Sequence, residues 1–287
     1  MSPRINILWQ RRIPEKAASI GKRKIGMYFR KINFALEGRE ALLYVTDDRE
    51  TAQSLRSQGE AVVVYLHPGN REENFSAFLF AVEDPEDLEA EYVERVYRRL
   101  KGMPWNILET ERCLIRETTP EDVEDFYRIY SHPSITKYME GLYPEVEAEK
   151  AYVREYIEKV YTFFGFGIWT VVEKAGGAVI GRAGFSYREG FQEPELGFII
   201  GVPWQRQGYA EEVCRGILDY GRRALEFTRV QALVEPGNTA SLKLCGKLGF
   251  FKEETLRLKG KEYCRLICSL PSRLSTAGTV KDTNVFL

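Results

Sequence analysis

Apolar positions along the chain change rhythm at two places. From residue 41 they fall into short continuous runs, at 42–46, 61–66 and 78–82, rich in Val, Ala, Leu, Tyr and Phe. Between and after these runs lie two stretches of helical period: 50–58, ended by Gly59, and 88–100, with Tyr92, Val96 and Leu100 on one face and Gly102 beyond. Continuous runs alternating with helices predict strands buried on both sides, in a parallel sheet. Lys101-Gly102-Met103-Pro104-Trp105 then breaks the last helix and marks a boundary.

Beyond the boundary the strands alternate instead. Strands are predicted at 110–117, 167–172, 179–185 and 195–202, the last three forming an antiparallel meander, with helices over 120–131 and 146–163. Thr119-Pro120-Glu121-Asp122 supplies an N-cap, a first-turn proline and acidic residues for the first of these helices. A strand at 230–234, a helix after Asn238 and strands at 251–257 and 261–270 complete the pattern. The organisation read from this is a basic N-terminal extension (1–40), a small α/β domain (41–104), a larger α/β domain (105–272) and a C-terminal tail (273–287). The smaller domain is Rossmann-like, so ligands would bind past its strand ends, where Asp47, Asp48 and His67 fall. It faintly resembles half of a haloacid-dehalogenase-type phosphatase core, with Thr46 at the phosphate-contacting position. The Asp-x-Asp nucleophile of those enzymes is missing, because position 49 is Arg.

The strand ending at Gly201-Val202-Pro203 runs through a short loop into an amphipathic helix carrying Val213, Ile217 and Leu218. A helix fed this way presents unpaired N–H groups and its positive dipole end. Gly208 and Ala210 keep the approach bare, so Gln205-x-x-Gly208-x-Ala210 reads as a cradle for phosphates.

Composition narrows the field less. The 287 residues carry a formal net charge of −1, so no global charge argues for nucleic acid. Five scattered cysteines without CxxC spacing and two histidines argue against a metal site and for reduced thiols in the cytoplasm. No apolar run is long enough to span a bilayer, so no membrane partner is expected. Locally, residues 1–40 interleave Arg4, Arg11, Arg12, Lys22, Arg23, Lys24, Arg30 and Lys31 with Trp9, Tyr28, Phe29 and Phe34. Such a segment suits contact with RNA or a ribosome, or else is a loosely docked extension.

The loop motif resembles the pyrophosphate-binding signature of the GNAT superfamily of acyl-CoA N-acyltransferases, Gln/Arg-x-x-Gly-x-Gly/Ala between a strand and a helix. Thr110-Glu111-Arg112-Cys113-Leu114-Ile115-Arg116 resembles the opening of its ribosomal-protein N-terminal acetyltransferase branch, with Cys113 and Ile115 varying within the pattern. The resemblance covers about residues 110 to 270. It implies a mixed, mostly antiparallel sheet flanked by helices, and acetyl transfer from acetyl-CoA to a primary amine, on a protein N-terminus or a small molecule, by direct attack in a ternary complex.

By the same resemblance, Arg206 and the amides of Gln207, Gly208, Tyr209 and Ala210 would hold pyrophosphate. Gln205 opens the motif, Asn238 would bond the pantetheine arm, and Ser241 would lie near the thioester sulfur. Asn238 also reads as a plain N-cap. Glu195 occupies the position of the family's catalytic glutamate, a base for the ammonium proton, although a glutamate opening a strand is as often a solvated surface residue; Glu193 and Tyr187 stand in reserve. Many relatives place a tyrosine acid four residues before the Gly-Phe pair, where this chain has Cys245. That leaves Ser241, water or Cys245 itself to protonate the thiolate, unless Cys245 is an inert buried residue. The departure also keeps open a second reading, an acyl-CoA sensor coupled to a ligand site in the N-terminal domain.

Overall fold

A computed structural model describes residues 27–86 and 88–271. It divides into two units that meet in sequence at Trp105/Asn106.

The first unit is a four-stranded sheet in the order β1-β2-β3-β4. β1 (Phe29–Leu36) and β2 (Arg39–Thr46) form an antiparallel hairpin in register from Phe29↔Thr46 to Leu36↔Arg39. Its two turn residues, Glu37 and Gly38, both have positive φ, which matches the right-handed twist of the strands they join. The sheet therefore begins inside the stretch whose charge suggested an extension. Ile32, Phe34 and Leu36 of that stretch are core residues, while Arg30 and Lys31 sit on an edge strand. Residues 1–26, which carry the rest of the expected RNA contact, lie outside the described residues, as do 272–287.

α1 (Arg49–Ser57) leads to β3 (Ala61–Tyr65), parallel to β2, and β4 (Ala81–Val82), parallel to β3, precedes α2 (Ala90–Leu100). Only two residues of the expected strand at 78–82 pair, because Phe78 packs with Phe75 against the α1 side of the sheet. Both faces are covered, as the continuous runs required. Leu43, Val45 and Val63 meet Val93 and Val96 of α2, whereas Tyr44, Val62 and Val64 meet Ala52 and Leu55 of α1.

At the strand ends, Asp47 accepts the Tyr28 N–H at 2.8 Å and faces His67 Nε2 at 3.2 Å. Asp48 caps α1 through the Thr51 N–H at 2.8 Å, and buried Thr46 accepts the Asp48 N–H. These groups close the loops of the unit itself.

The second unit is an eight-stranded sheet ordered β11-β12-β10-β9-β8-β7-β6-β5. In chain order its elements are β5 (Asn106–Glu109), β6 (Cys113–Arg116), α3 (Val123–Tyr130), α4 (Pro133–Thr136), α5 (Val146–Tyr156), α6 (Thr162–Phe164), β7 (Ile168–Glu173), β8 (Val179–Ser186), β9 (Glu195–Ile200), α7 (Tyr209–Arg223), β10 (Arg229–Val234), α8 (Thr239–Lys247), β11 (Phe251–Leu258) and β12 (Lys261–Ser269). Every neighbouring pair is antiparallel except β9 and β10.

α3 starts where the sequence marks it. Thr119 and Asp122 form a capping box around Pro120, and Asp122 also takes a bidentate pair from Arg116 at 2.8 and 2.6 Å and the Thr170 hydroxyl at 2.9 Å. A single π turn over Ile157–Tyr161 separates α5 from α6. It delivers Tyr156 and Tyr161 to the start of β7, where Tyr156 Oη accepts the Ile168 N–H and Tyr161 donates to the Ile168 carbonyl. On the other face α7 lies close on β8: a Cβ on Gly221 would stand 2.8 Å from the Phe185 ring, so a larger residue would push the helix off the sheet.

Candidate active site

The sheet is split at its centre. β9 and β10 share one ladder pair, Glu195 with Gln231, braced by the Gln231 N–H on the Pro194 carbonyl at 2.9 Å. Past that point β9 stays with β8 along its whole length and β10 stays with β12. Gly197 and Phe198, inside a strand otherwise buried, become half-exposed. A central strand with an unpaired edge offers N–H and C=O groups to an extended ligand that carries amides of its own.

The split opens toward the loop at 201–208. Gly201 N–H bonds the Ile180 carbonyl at 2.7 Å, a tight turn follows over Val202–Trp204, and Arg206 and Gly208 both adopt positive φ, 59° and 86°. The Gly208 carbonyl takes the Glu212 N–H, the first full α-helical bond of α7, so the amides of Tyr209, Ala210 and Glu211 precede any main-chain helical acceptor. Gln205 to Gly208 are exposed. The glutamine side chains brace the loop: Gln205 Nε2 donates to the Ile200 carbonyl at 2.8 Å and Gln207 Nε2 to the Pro203 carbonyl at 2.7 Å. Tyr209 turns inward, its hydroxyl on Glu173 at 2.5 Å, so at this position the backbone alone can face an anion.

Arg112 is a second cation here that the sequence reading passed over. Its Nη1 donates to the Gln207 carbonyl at 3.0 Å and its guanidinium lies 4.1 Å from the Tyr209 ring centre. Glu212 fixes it by accepting both the Arg112 N–H at 2.8 Å and its Nε at 2.7 Å. Burial works against the Glu212 charge, yet bonds from Thr110 and Arg112 hold its carboxyl below the ordinary range. The signal was available, since Arg112 and Arg116 are the arginines of the opening motif, one at the loop and the other on Asp122.

At the closed end of the split, Glu195 projects on the face of Gly197 and Ile199, which carries α3 and α4. It is not a solvated strand end. Its side chain is 11% exposed and takes Arg188 Nε at 2.5 Å and Nη2 at 3.0 Å, which raises the Arg188 pKa. Arg188 itself is 45% exposed, so the pair is buried on the Glu195 side alone, and Glu195 needs another cation there when Arg188 moves off. The reserve candidate Glu193 is held by Arg265 at 2.8 Å. Tyr187 packs on Phe164 and Phe166.

Across the split, Asn238 caps α8, its Oδ1 accepting the Ser241 N–H at 3.2 Å. Its Nδ2 and the half-buried Ser241 Oγ have no hydrogen-bond partner among the described residues. Cys245 is fully buried on the inner side of α8, and burial, reinforced by Cys268, pushes its thiol up to about 12. The acid role weighed for Cys245 is therefore corrected: this thiol touches core, and it is too weak an acid to protonate a departing thiolate. The aromatic side chains of this unit divide between core and surface. Trp169 and Phe166 are core, Tyr138 is tied to the Gly237 carbonyl at 2.8 Å, and Met139, Tyr143, Phe164 and Tyr187 are exposed. Among the described residues no group of three His, Cys, Asp or Glu side chains could hold a metal, and no helix is long and apolar enough to cross a membrane.

A sheet split beside an amide-lined helix start, with a glutamate where the strands meet, is the arrangement that the resemblance to acyl-CoA N-acyltransferases implies. Residues 112–251 match the acetyltransferase (GNAT) domain model. The uncharacterized N-acetyltransferase p20 of Bacillus licheniformis is 34% identical over 166 residues, which span 56% of this chain and 90% of that protein. The uncharacterized N-acetyltransferase YoaA of Bacillus subtilis is 30% identical over 187 residues, 63% of this chain and 94% of its own. A GNAT-family acetyltransferase from Bacillus anthracis shares the fold, with a TM-score of 0.50 at 22% identity over 56% of this chain and 97% of that one. The chain belongs to the GNAT acetyltransferase family, and it is an N-acetyltransferase that moves an acetyl group onto an amine. Enzymes of this family take that group from acetyl-CoA.

Proposed function

We propose that acetyl-CoA binds with its pyrophosphate on the amides of Gln207, Gly208, Tyr209 and Ala210, flanked by Arg206 and Arg112, and with pantetheine along the open edge of β9. The single ladder pair between β9 and β10 carries this reading, because it leaves a strand-shaped gap that ends beside Glu195. Asn238 Nδ2 donates to the pantetheine arm from the far side. The acceptor nitrogen must be neutral to attack the thioester carbonyl, while a primary amine is mostly protonated at neutral pH. Glu195, released by Arg188, takes the ammonium proton directly or through water. A C–N bond forms, the C–S bond breaks, and the thiolate of CoA leaves, receiving a proton from Ser241 Oγ or water.

The acceptor is a primary amine, on a protein N-terminus or a small molecule. The ribosomal protein uS5-alanine N-acetyltransferase of Escherichia coli is 32% identical over 109 residues, 54% of its length, which supports the first option for part of the domain. Thiol release from acetyl-CoA against a panel of amines and N-terminal peptides tests the reading. Glu195→Gln should bind CoA normally and lose about 10²- to 10⁴-fold in kcat, the usual yield of a general base. Undiminished kcat in that variant would remove Glu195 from the mechanism.

A further inference from the structure

Arg182, in the middle of β8, has no task in the mechanism above. Its guanidinium lies 4.5 Å from the Phe126 ring centre and among the side chains of Tyr130, Tyr152, Tyr156 and Tyr161, with the Tyr130 hydroxyl hydrogen-bonded to it. No carboxylate pairs with it among the described residues, and its Nε has neither a partner nor contact with solvent. Three carboxylates share this neighbourhood: Glu149, beside Tyr130 and Tyr152, is engaged by the Tyr143 N–H at 3.0 Å, Glu117 lies beside Tyr161, and Asp122, held by Arg116, accepts the hydroxyl of Thr170, the ladder partner of Arg182.

Two of the hydroxyls around Arg182 are left to donate. Tyr156 Oη already accepts the Ile168 N–H, so its proton is left to donate, and Tyr152 is exposed on α5 with no hydrogen bond among the described residues. A cation with no ion pair of its own among the described residues, flanked by two hydroxyls free to donate, is the electrostatic complement of an oxyanion.

Register places this group on the acceptor side. Arg182 pairs with Ile199 and Ser186 with Glu195, so Arg182 and Glu195 project from the same face, four strand positions or about 13 Å apart. Gly184 and Gly197 pair between them and contribute no side chain to that face; Ile168 Cδ1 lies 3.3 Å from where a Gly197 Cβ would be. The face thus offers a proton acceptor at one end and a cation without an ion pair at the other, with the two glycines and the Ile168 side chain between.

We propose that Arg182, with Tyr152 and Tyr156, binds a carboxylate of the acceptor, so that the acceptor is an aminocarboxylate whose amine and carboxylate are several bonds apart. This rests on amine attack beside Glu195. It separates the substrate from polyamines and simple alkylamines, which carry no group for Arg182 to hold.

Matched pairs test it: 6-aminohexanoate against hexylamine, and alanyl-alanine against its C-terminal amide, each scored by thiol release from acetyl-CoA. In at least one pair the acid should show kcat/KM about tenfold higher or more. Arg182→Met should erase that preference by raising KM for the acid. Tyr152→Phe, on an exposed position that does not endanger the fold, should cut the preference severalfold. Acid and neutral partner within about threefold of each other in both pairs, or a preference that survives in both variants, overturns the proposal. Calorimetry of hexanoate on the CoA-saturated protein reads the same site without turnover. Binding that weakens in Tyr152→Phe supports the carboxylate site even if no amine reacts, and no heat at millimolar hexanoate counts against it.

Discussion

Gly208→Ala separates what the phosphate loop does for folding from what it does for binding. Gly208 sits at φ 86°, a left-handed conformation that costs an L-residue about 1–2 kcal/mol. Space is not the obstacle, because the added Cβ would meet only Arg112 Nη2, at an ordinary 3.4 Å. For a unit of this size the strain should lower Tm by about 2–8 °C. Gly177, in the turn between β7 and β8, supplies the control. It has φ 69° with nothing within 4 Å of a Cβ, so Gly177→Ala should bring similar strain at a site remote from any phosphate. The two variants should then part company in CoA affinity. A charge-assisted hydrogen bond is worth about 1.5–3 kcal/mol, so displacing the anion from one amide weakens CoA about 10- to 100-fold. Calorimetric titration of both variants decides the matter: equal CoA affinities would falsify the assignment of the α7 start as the pyrophosphate site.

Other outcomes follow from burial and charge. Asp122→Ala should cost about 3–5 kcal/mol in urea unfolding, since it strips Arg116 of a bidentate partner and the turn leading into α3 of its capping box at one stroke; Asp122→Asn should cost less. Cys113 and Cys245 hold thiols pushed up by burial to about 11 and about 12 from an unfolded value near 9. The unfolded chain therefore ionises first, so their contribution is complete below pH 9 and is lost as pH rises toward 11–12, by about 1.4 kcal/mol per pH unit for each thiol. Urea midpoints at pH 8 and pH 10 should show that decline, and a flat profile would contradict the burial argument. Ellman's reagent should likewise leave Cys245 unmodified in the native protein at pH 8 and label it once urea unfolds the chain.

Much of this architecture was legible because local chemistry and tertiary need coincide. The continuous runs at 42–46 and 61–66 are strands covered by helices on both faces, and Thr119-Pro120-Glu121-Asp122 starts a helix with the cap it advertises. β1 was hidden for a physical reason: an edge strand shields itself with Arg30 and Lys31, and those charges mask the alternation of Ile32, Phe34 and Leu36. At 78–82 the error ran the other way, because apolar residues wanted burial but Phe78 found it through its side chain without pairing its backbone. The site shows the same division. The face on which Glu195 lies follows from strand alternation. Its partner Arg188, reached across the β8–β9 loop, and the tyrosines around Arg182, brought from α3, α5 and the π turn, depend on how separate elements pack.

The single pair joining β9 to β10 also governs how the protein holds together. The sheet is a five-stranded leaf and a three-stranded leaf hinged at Glu195 and Gln231. In the binding mode proposed above, pantetheine would supply the missing rungs between them, so the larger unit would be completed by what it handles. Occupancy then adds to cohesion by mass action, about 2.7 kcal/mol at a hundredfold excess over Kd. The stability of this unit would then rise and fall with the supply of its own co-substrate.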